Sequence, residues 1–206
     1  AAGNGLGLMK FTNPNSKIDA LTVTMESCVF QNNTAAYGTI LSTESTKIQL
    51  VLINSTFSAN LIRQQAGALI ELYSLLDSSI IIQNTVFSIE KTASQQAFSG
   101  NLFLGSLLLL EKSLGIVRIE VTNSSINVDA GALGSFFTLH SNANAFVEVS
   151  DFNYSYKVVA SSLLRARRPG LLTSKAVVYK ILQADQVQAV FTRLTVSNVT
   201  LETSPL

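Results

Sequence analysis

The sequence predicts an all-β fold: a right-handed single-stranded parallel β-helix, or solenoid, of about six coils with three short strands in each. Three observations predict it. An eight-residue pattern recurs, starting at residues 23 (VTMESCVF), 50 (LVLINSTF), 80 (IIIQNTVF), 119 (IEVTNSSI), 147 (VEVSDFNY) and 194 (LTVSNVTL). Apolar and polar residues alternate with period two along most of the chain, and helical periodicity is scarce. A second short strand, opened by a small residue, precedes each copy.

Within a copy, the first and third residues are apolar and point to one side of a strand, and the second and fourth point to the other. The fifth residue is Ser27, Asn54, Asn84, Asn123, Asp151 or Asn198. A tight turn there needs positive φ, which Asn tolerates better than other side chains. Stacked on successive coils, these residues are expected to form an inward-facing polar ladder. The eighth residue returns to the interior, and Phe30, Phe57, Phe87, Ile126, Tyr154 and Leu201 are the expected spine of the core. The preceding strands begin at Gly7, Gly38, Gly67, Gly100, Gly134 and Ser161. Residues 166–188 form the longest insert, in which KAVVYKIL (175–182) reads as either an extra strand or a short helix. Residues 1–206 are expected to be one β-helix domain, a section of a longer solenoid, because neither end carries a charged or Pro-rich cap apart from Pro205.

Composition narrows the function classes. Charged residues are 13% of the chain, about half the usual share, and Ser, Thr, Asn and Gln fill the gap. This is the balance of β-rich extracellular or repeat proteins. The net charge of +1 and the absence of Trp point to no nucleic-acid partner. Cys28 is alone, so it forms no internal disulfide and reads as a small packed residue. The apolar run 102–110, broken by Gly105 and Ser106, is about half the length of a membrane-spanning helix, so no transmembrane segment is expected.

The segments CVFQNNTAAYGTIL (28–41) and TFSANLIRQQAGALIEL (56–72) resemble repeats of the pectin-lyase-like superfamily, and more closely the polymorphic outer-membrane-protein type repeat. Phe30-Gln-Asn-Asn33 and Phe57-Ser-Ala-Asn60 match its Phe-x-x-Asn half, and Gly67-Ala-Leu-Ile70 and Gly38-Thr-Ile-Leu41 are diverged forms of its Gly-Gly-Ala-Ile half. The resemblance implies a β-helix within a large surface protein. It does not choose between adhesive, structural and carbohydrate-active members.

No catalytic carboxylate cluster is recognisable. The five Asp residues share no repeat position, and only Glu120 and Glu148 coincide at an outward position. They read as two solvated surface carboxylates, or as the least poor acid pair of an enzyme. His140 is the only histidine and has no Cys or acidic partner close in sequence, so it reads as a turn or surface residue. Catalytic, cofactor and metal residues are all expected to be absent. Among five N-glycosylation sequons, Asn32 and Asn153 are the glycan candidates, since Asn54, Asn123 and Asn198 belong to the expected inward ladder. Arg165–Arg168 reads as a solvated basic loop or a dibasic processing site. Outward apolar residues Val51, Ile53 and Ile81 suggest that another surface packs on the middle coils. The leading expectation is a non-enzymatic structural or adhesive module, extracellular or at the cell surface. Its partners would be other chains or further coils of the same protein. The alternative is a carbohydrate-binding or carbohydrate-cleaving member of the same superfamily, and glycans are then the partner. An ice-binding solenoid ranks last: Thr24 and Thr195 are taken to share a register, but the series is interrupted.

Overall fold

A computed structural model of the chain describes residues 8–12, 21–35, 40–44, 47–58, 61–62, 68–73, 76–89, 106–113, 115–128, 135–159 and 177–201. These residues are all-β, and every strand pairing is parallel. Strands are numbered in chain order and fall into three sets. The first set is β1 (Met9–Thr12), β5 (Leu41–Glu44), β9 (Ala68–Tyr73) and β12 (Ser106–Glu111), continued by the first parts of β15 (Ser135–Val159) and β16 (Val177–Leu201). The second set is β2 (Leu21–Glu26), β6 (Ile48–Ile53), β10 (Ser78–Gln83) and β13 (Ile116–Thr122), then the middle of β15 and of β16. The third is β3 (Val29–Gln31), β7 (Thr56–Ser58), β11 (Val86–Ile89) and β14 (Ser125–Val128), then the ends of β15 and β16. A separate pair joins β4 (Thr34–Ala35) to β8 (Leu61–Ile62). In each set, strands that follow one another along the chain lie side by side. The chain therefore returns to the same set one strand spacing, about 4.8 Å, further along.

Period-two alternation determines what is buried. In β6 and β10 every second residue is buried, and those between are half-buried or exposed. Parallel register then stacks like on like. Leu50, Ile80, Ile119 and Val147 form one inward column, and Leu52, Ile82, Val121 and Val149 form the next. Branched side chains suit this geometry because each packs on an identical pleat above and below. The spine is equally regular. The rings of Phe30, Phe57 and Phe87 are stacked, with centroids 4.8 and 4.9 Å apart, and Ile126 and Tyr154 continue the column.

Two strand assignments change. In the fourth copy of the first set, Ser106 pairs with Ala68, so the strand aligned with β9 is Ser106–Glu111, further along the chain than the one expected to open at Gly100. Of the segment assigned to an insert, residues 177–188 belong to β16 and pair with β15, so KAVVYKIL is a strand from Val177 onward. Residues 166–176, the strand opened by Ser161 and the Arg165–Arg168 loop lie outside the described residues.

Candidate functional site

Two features of the outer surface collect polar chemistry: the corner between the second and third strand sets, and the outer face of the second set near Phe146.

The corner is built by the fifth and sixth residues of each copy. Ser27, Asn54, Asn84, Asn123 and Asp151 all have positive φ, between 46° and 54°. In the first four the backbone N–H donates to the strand carbonyl of the following copy, as Asn54 does to Gln83 at 3.1 Å and Asn84 to Thr122 at 3.1 Å. The side chains form a ladder in which Asn123 Nδ2 donates to Asn84 Oδ1 at 2.7 Å and Asn84 Nδ2 donates to Asn54 Oδ1 at 3.1 Å. The ladder faces solvent, because Asn54, Asn84, Asn123 and Asp151 are all exposed. This corrects the expected inward orientation. A left-handed residue between two strands forms a convex corner, and its side chain projects away from the core.

The interior side of the corner is filled by the sixth residue. Ser55, Thr85 and Ser124 are buried hydroxyls whose O–H donates to the carbonyl two residues earlier: Ser55 to Ile53 at 2.9 Å, Thr85 to Gln83 at 2.9 Å and Ser124 to Thr122 at 2.9 Å. They also accept, from Cys28 N–H at Ser55 Oγ (3.2 Å) and from Thr85 N–H at Ser124 Oγ (3.1 Å). This second ladder satisfies turn backbone groups that would otherwise be buried unpaired. The sequence carries its signal, a small polar residue at position six, and the eight-residue reading passed over it. Cys28 occupies the same position, and its Sγ lies 3.4 Å from the Glu26 carbonyl.

The last copy is displaced from its expected place. Thr192 pairs with Ser150 and Leu194 with Phe152, so Arg193 stands opposite Asp151, with φ of 52°. Asn198 pairs instead with Tyr156, and Leu201 with Val159, while Val196 takes the place beside Tyr154. The copy is therefore AVFTRLTV (189–196), and LTVSNVTL matches by residue type alone. For the same reason Thr24 and Thr195 fall in different columns: Thr24 pairs with Val51, and Thr195 with Asn153. Arg193 Nε donates to Asp151 Oδ1, and its Nη2 donates to Asp151 Oδ2 at 2.6 Å, a bidentate pair. Those hydrogen bonds hold the Asp151 carboxyl below its ordinary range; local desolvation opposes them, and the guanidinium charge adds to them.

On the outer face of the second set, Glu120 and Glu148 pair directly in register and both are exposed. Arg118, two residues before Glu120, lies over the exposed ring of Phe146 with its Cζ 5.3 Å from the centroid. Ser79, Arg118, Glu120, Phe146, Glu148 and Gln188 line a shallow groove of about 310 Å³. Arg118 places a cation beside the acid pair and shields an aromatic face. Val51, Ile53 and Ile81 are half-buried on the same face. A second groove of about 360 Å³ runs past Lys47, Gln49, Asp77, Ser79 and Arg118. Its rim holds a close approach, where Asp77 Oδ1 accepts the Ile116 N–H at 2.9 Å.

The remaining sequence candidates stand apart. Asn32 is exposed with φ of 59°, and Asn153 is exposed beside Ser125. His140 lies in β15, at a register shift against β16 and opposite Glu111 of β12. Among the described residues, no group of three or more His, Cys, Asp or Glu side chains is placed to hold a metal ion, and no helix is long and apolar enough to cross a membrane. No protein-family model matches this chain, and no curated protein or solved structure matches it either.

Proposed function

We propose that the three parallel strand sets are the walls of a right-handed β-helix of about six coils, related to the polymorphic outer-membrane-protein type repeats, and that it serves as a non-enzymatic structural or adhesive module at the cell surface. One observation carries this reading. The columns buried through the middle of the fold run out into solvent at β16. Phe191, Leu194 and Val196 are 40%, 37% and 64% exposed, yet they register with Val149, Phe152 and Tyr154, which are buried. An apolar parallel edge of this kind is the natural seat of a further coil or another chain. The exposed polar ladder along the corner supplies uncharged hydrogen-bonding groups for contacts along the rod. Biotinylation of intact source cells is expected to label the chain. Labelling only after lysis would overturn the surface assignment.

The groove beside Phe146 favours a second reading, a carbohydrate-binding or carbohydrate-cleaving module. Arg118, two carboxylates and Gln188 around the partly exposed Phe146 ring offer hydroxyl recognition beside an apolar contact. A polysaccharide panel scored for new reducing ends and unsaturated products separates the two. Product formation that is lost in Glu120→Gln establishes cleavage and removes the non-enzymatic reading.

A further inference from the structure

We propose that Asn54 carries an N-linked glycan, and that the wall built by the third strand set is the glycan-bearing side of the molecule. The inference rests on the reading of the chain as a surface module, since this modification belongs to secreted and surface chains.

Asn54-Ser55-Thr56 is an acceptor sequence of the Asn-x-Ser/Thr type. An inward ladder would hide it, but Asn54 is exposed at the convex corner before β7. The hydrogen bonds then single it out among the ladder residues. Asn123 Nδ2 donates to Asn84 Oδ1, and Asn84 Nδ2 donates to Asn54 Oδ1. The next ladder position is Ser27, and among the described residues nothing accepts from Asn54 Nδ2. The amide oxygen of Asn54 is therefore engaged in the ladder, and its nitrogen, the atom a glycan takes, is available. Asn84 is followed by Thr85-Val86 and is no acceptor.

The transfer balances at that nitrogen. Nδ2 attacks the anomeric carbon of an oligosaccharide carried on a polyprenyl pyrophosphate. The N–C bond forms, the C–O bond to the pyrophosphate breaks, and the pyrophosphate departs while a base of the transferase takes one Nδ2 proton. Oδ1 stays an acceptor, so the rung from Asn84 survives the modification.

The rest of the wall agrees. Asn32, Asn123 and Asn153, the other acceptor asparagines whose side chains are described, are exposed on the third strand set or at its corners. Asn198, the fifth, lies in the part of β16 that joins the same set, paired with Tyr156. None lies within a strand of the second set, whose outer face carries Arg118, Glu120, Glu148 and both grooves. The outward rows of the third set, from Val29 to Thr195 and from Gln31 to Ser197, hold no Asp, Glu, Lys or Arg. Val29 and Val86 flank Thr56 there and are 70% and 38% exposed. A saccharide on Asn54, two positions before Thr56, covers that apolar spot and leaves the grooved face clear.

The test is glycopeptide mass spectrometry of the chain taken from its source. The peptide spanning Asn54 is expected to carry a saccharide, and the peptide spanning Asn84 none. In secreting eukaryotic cells, Thr56→Val and Thr56→Ser separate the acceptor sequence from the fold. Valine matches Val29 and Val86 on either side and leaves Asn54 in the ladder, but it removes the acceptor hydroxyl, which serine keeps. Thr56→Val is expected to run one glycan lower on a gel than wild type, and Thr56→Ser to retain that glycan. Should Thr56→Val fail to fold, the source peptide still decides. A bare Asn54 peptide from source material overturns the proposal, as does a Thr56→Val chain with the wild-type glycan count. The two readings fail separately. A chain labelled on intact cells with Asn54 bare loses the glycan and keeps the surface assignment. A chain labelled only after lysis with Asn54 glycosylated keeps the glycan and loses the surface assignment.

Discussion

Asn84 occupies the middle of the exposed ladder, donating to Asn54 and accepting from Asn123 while its own backbone sits at φ of 49°. Both roles are lost in Asn84→Ala. The expected destabilisation is about 1–3 kcal/mol, from a left-handed backbone without an Asn side chain and from two solvent-exposed hydrogen bonds. Asn84→Gly recovers the conformational part alone, so the urea midpoints should rank wild type, then Gly, then Ala. Gly115 makes a different demand. A Cβ there would lie 2.6 Å from Asp77 Oδ1 and 2.8 Å from the Asp77 backbone nitrogen. Backbone cannot yield as a flexible side chain does, and Asp77 is also held by the Ile116 N–H. Gly115→Ala is expected to cost about 1–3 kcal/mol, as overpacking does, again read as a shift in the urea midpoint.

Between elements, the aromatic column and the ion pair hold neighbouring strands together by opposite means. Phe57 is sandwiched between Phe30 and Phe87 and is 1% exposed. Phe57→Ala removes both stacks and opens a cavity, with an expected loss of about 3–5 kcal/mol. Asp151 and Arg193 join β15 to β16 on an exposed edge, so their contribution is screened. Its sign with pH is nonetheless definite. Asp151 has its folded-state pKa lowered, chiefly by its hydrogen bonds to Arg193. The pair's contribution is therefore fully present above the unfolded carboxylate pKa of about 3.9 and is lost as pH falls through the lower folded value. Asp151→Asn removes that part of the acid limb. The protection factors of β16 amides, exchange rates taken relative to the unprotected amide at each pH, are expected to fall below about pH 4 in wild type and to change less in the variant.

Over the whole molecule, stability is distributed along an axis. Among the described residues, each strand touches its equivalents on either side, so interior copies have two covered faces and the first and last described copies have one. Inward residues of β6, β10 and β13 are almost wholly buried, whereas those of β16 reach 64% exposure. Local opening should therefore begin at the edges and spare the middle. In native-state hydrogen exchange, amides of β6 and β10 are expected to exchange slowest and those of β16 fastest. Uniform protection would contradict an axial arrangement.

Residue types alone determined the all-β, parallel character of the described residues, the period-two burial, the positive-φ corner at Asn54, Asn84 and Asn123, and the aromatic column from Phe30 to Phe87. These are local properties: alternation follows from the strand pleat, and Asn tolerates φ > 0 wherever it stands. Tertiary structure alone decided that the ladder faces solvent, that Ser106–Glu111 is the strand aligned with β9, and that Arg193 rather than Asn198 takes the last described corner. It also brought Arg118 over Phe146 and Glu120 beside Glu148. The physical reason is register. Parallel pairing joins residues far apart in the chain, and an inserted stretch of any length shifts the match without altering the local pattern. Only the paired backbone counts the strands, and at the last copy it accepted an arginine in a left-handed turn because Asp151 was there to hold it.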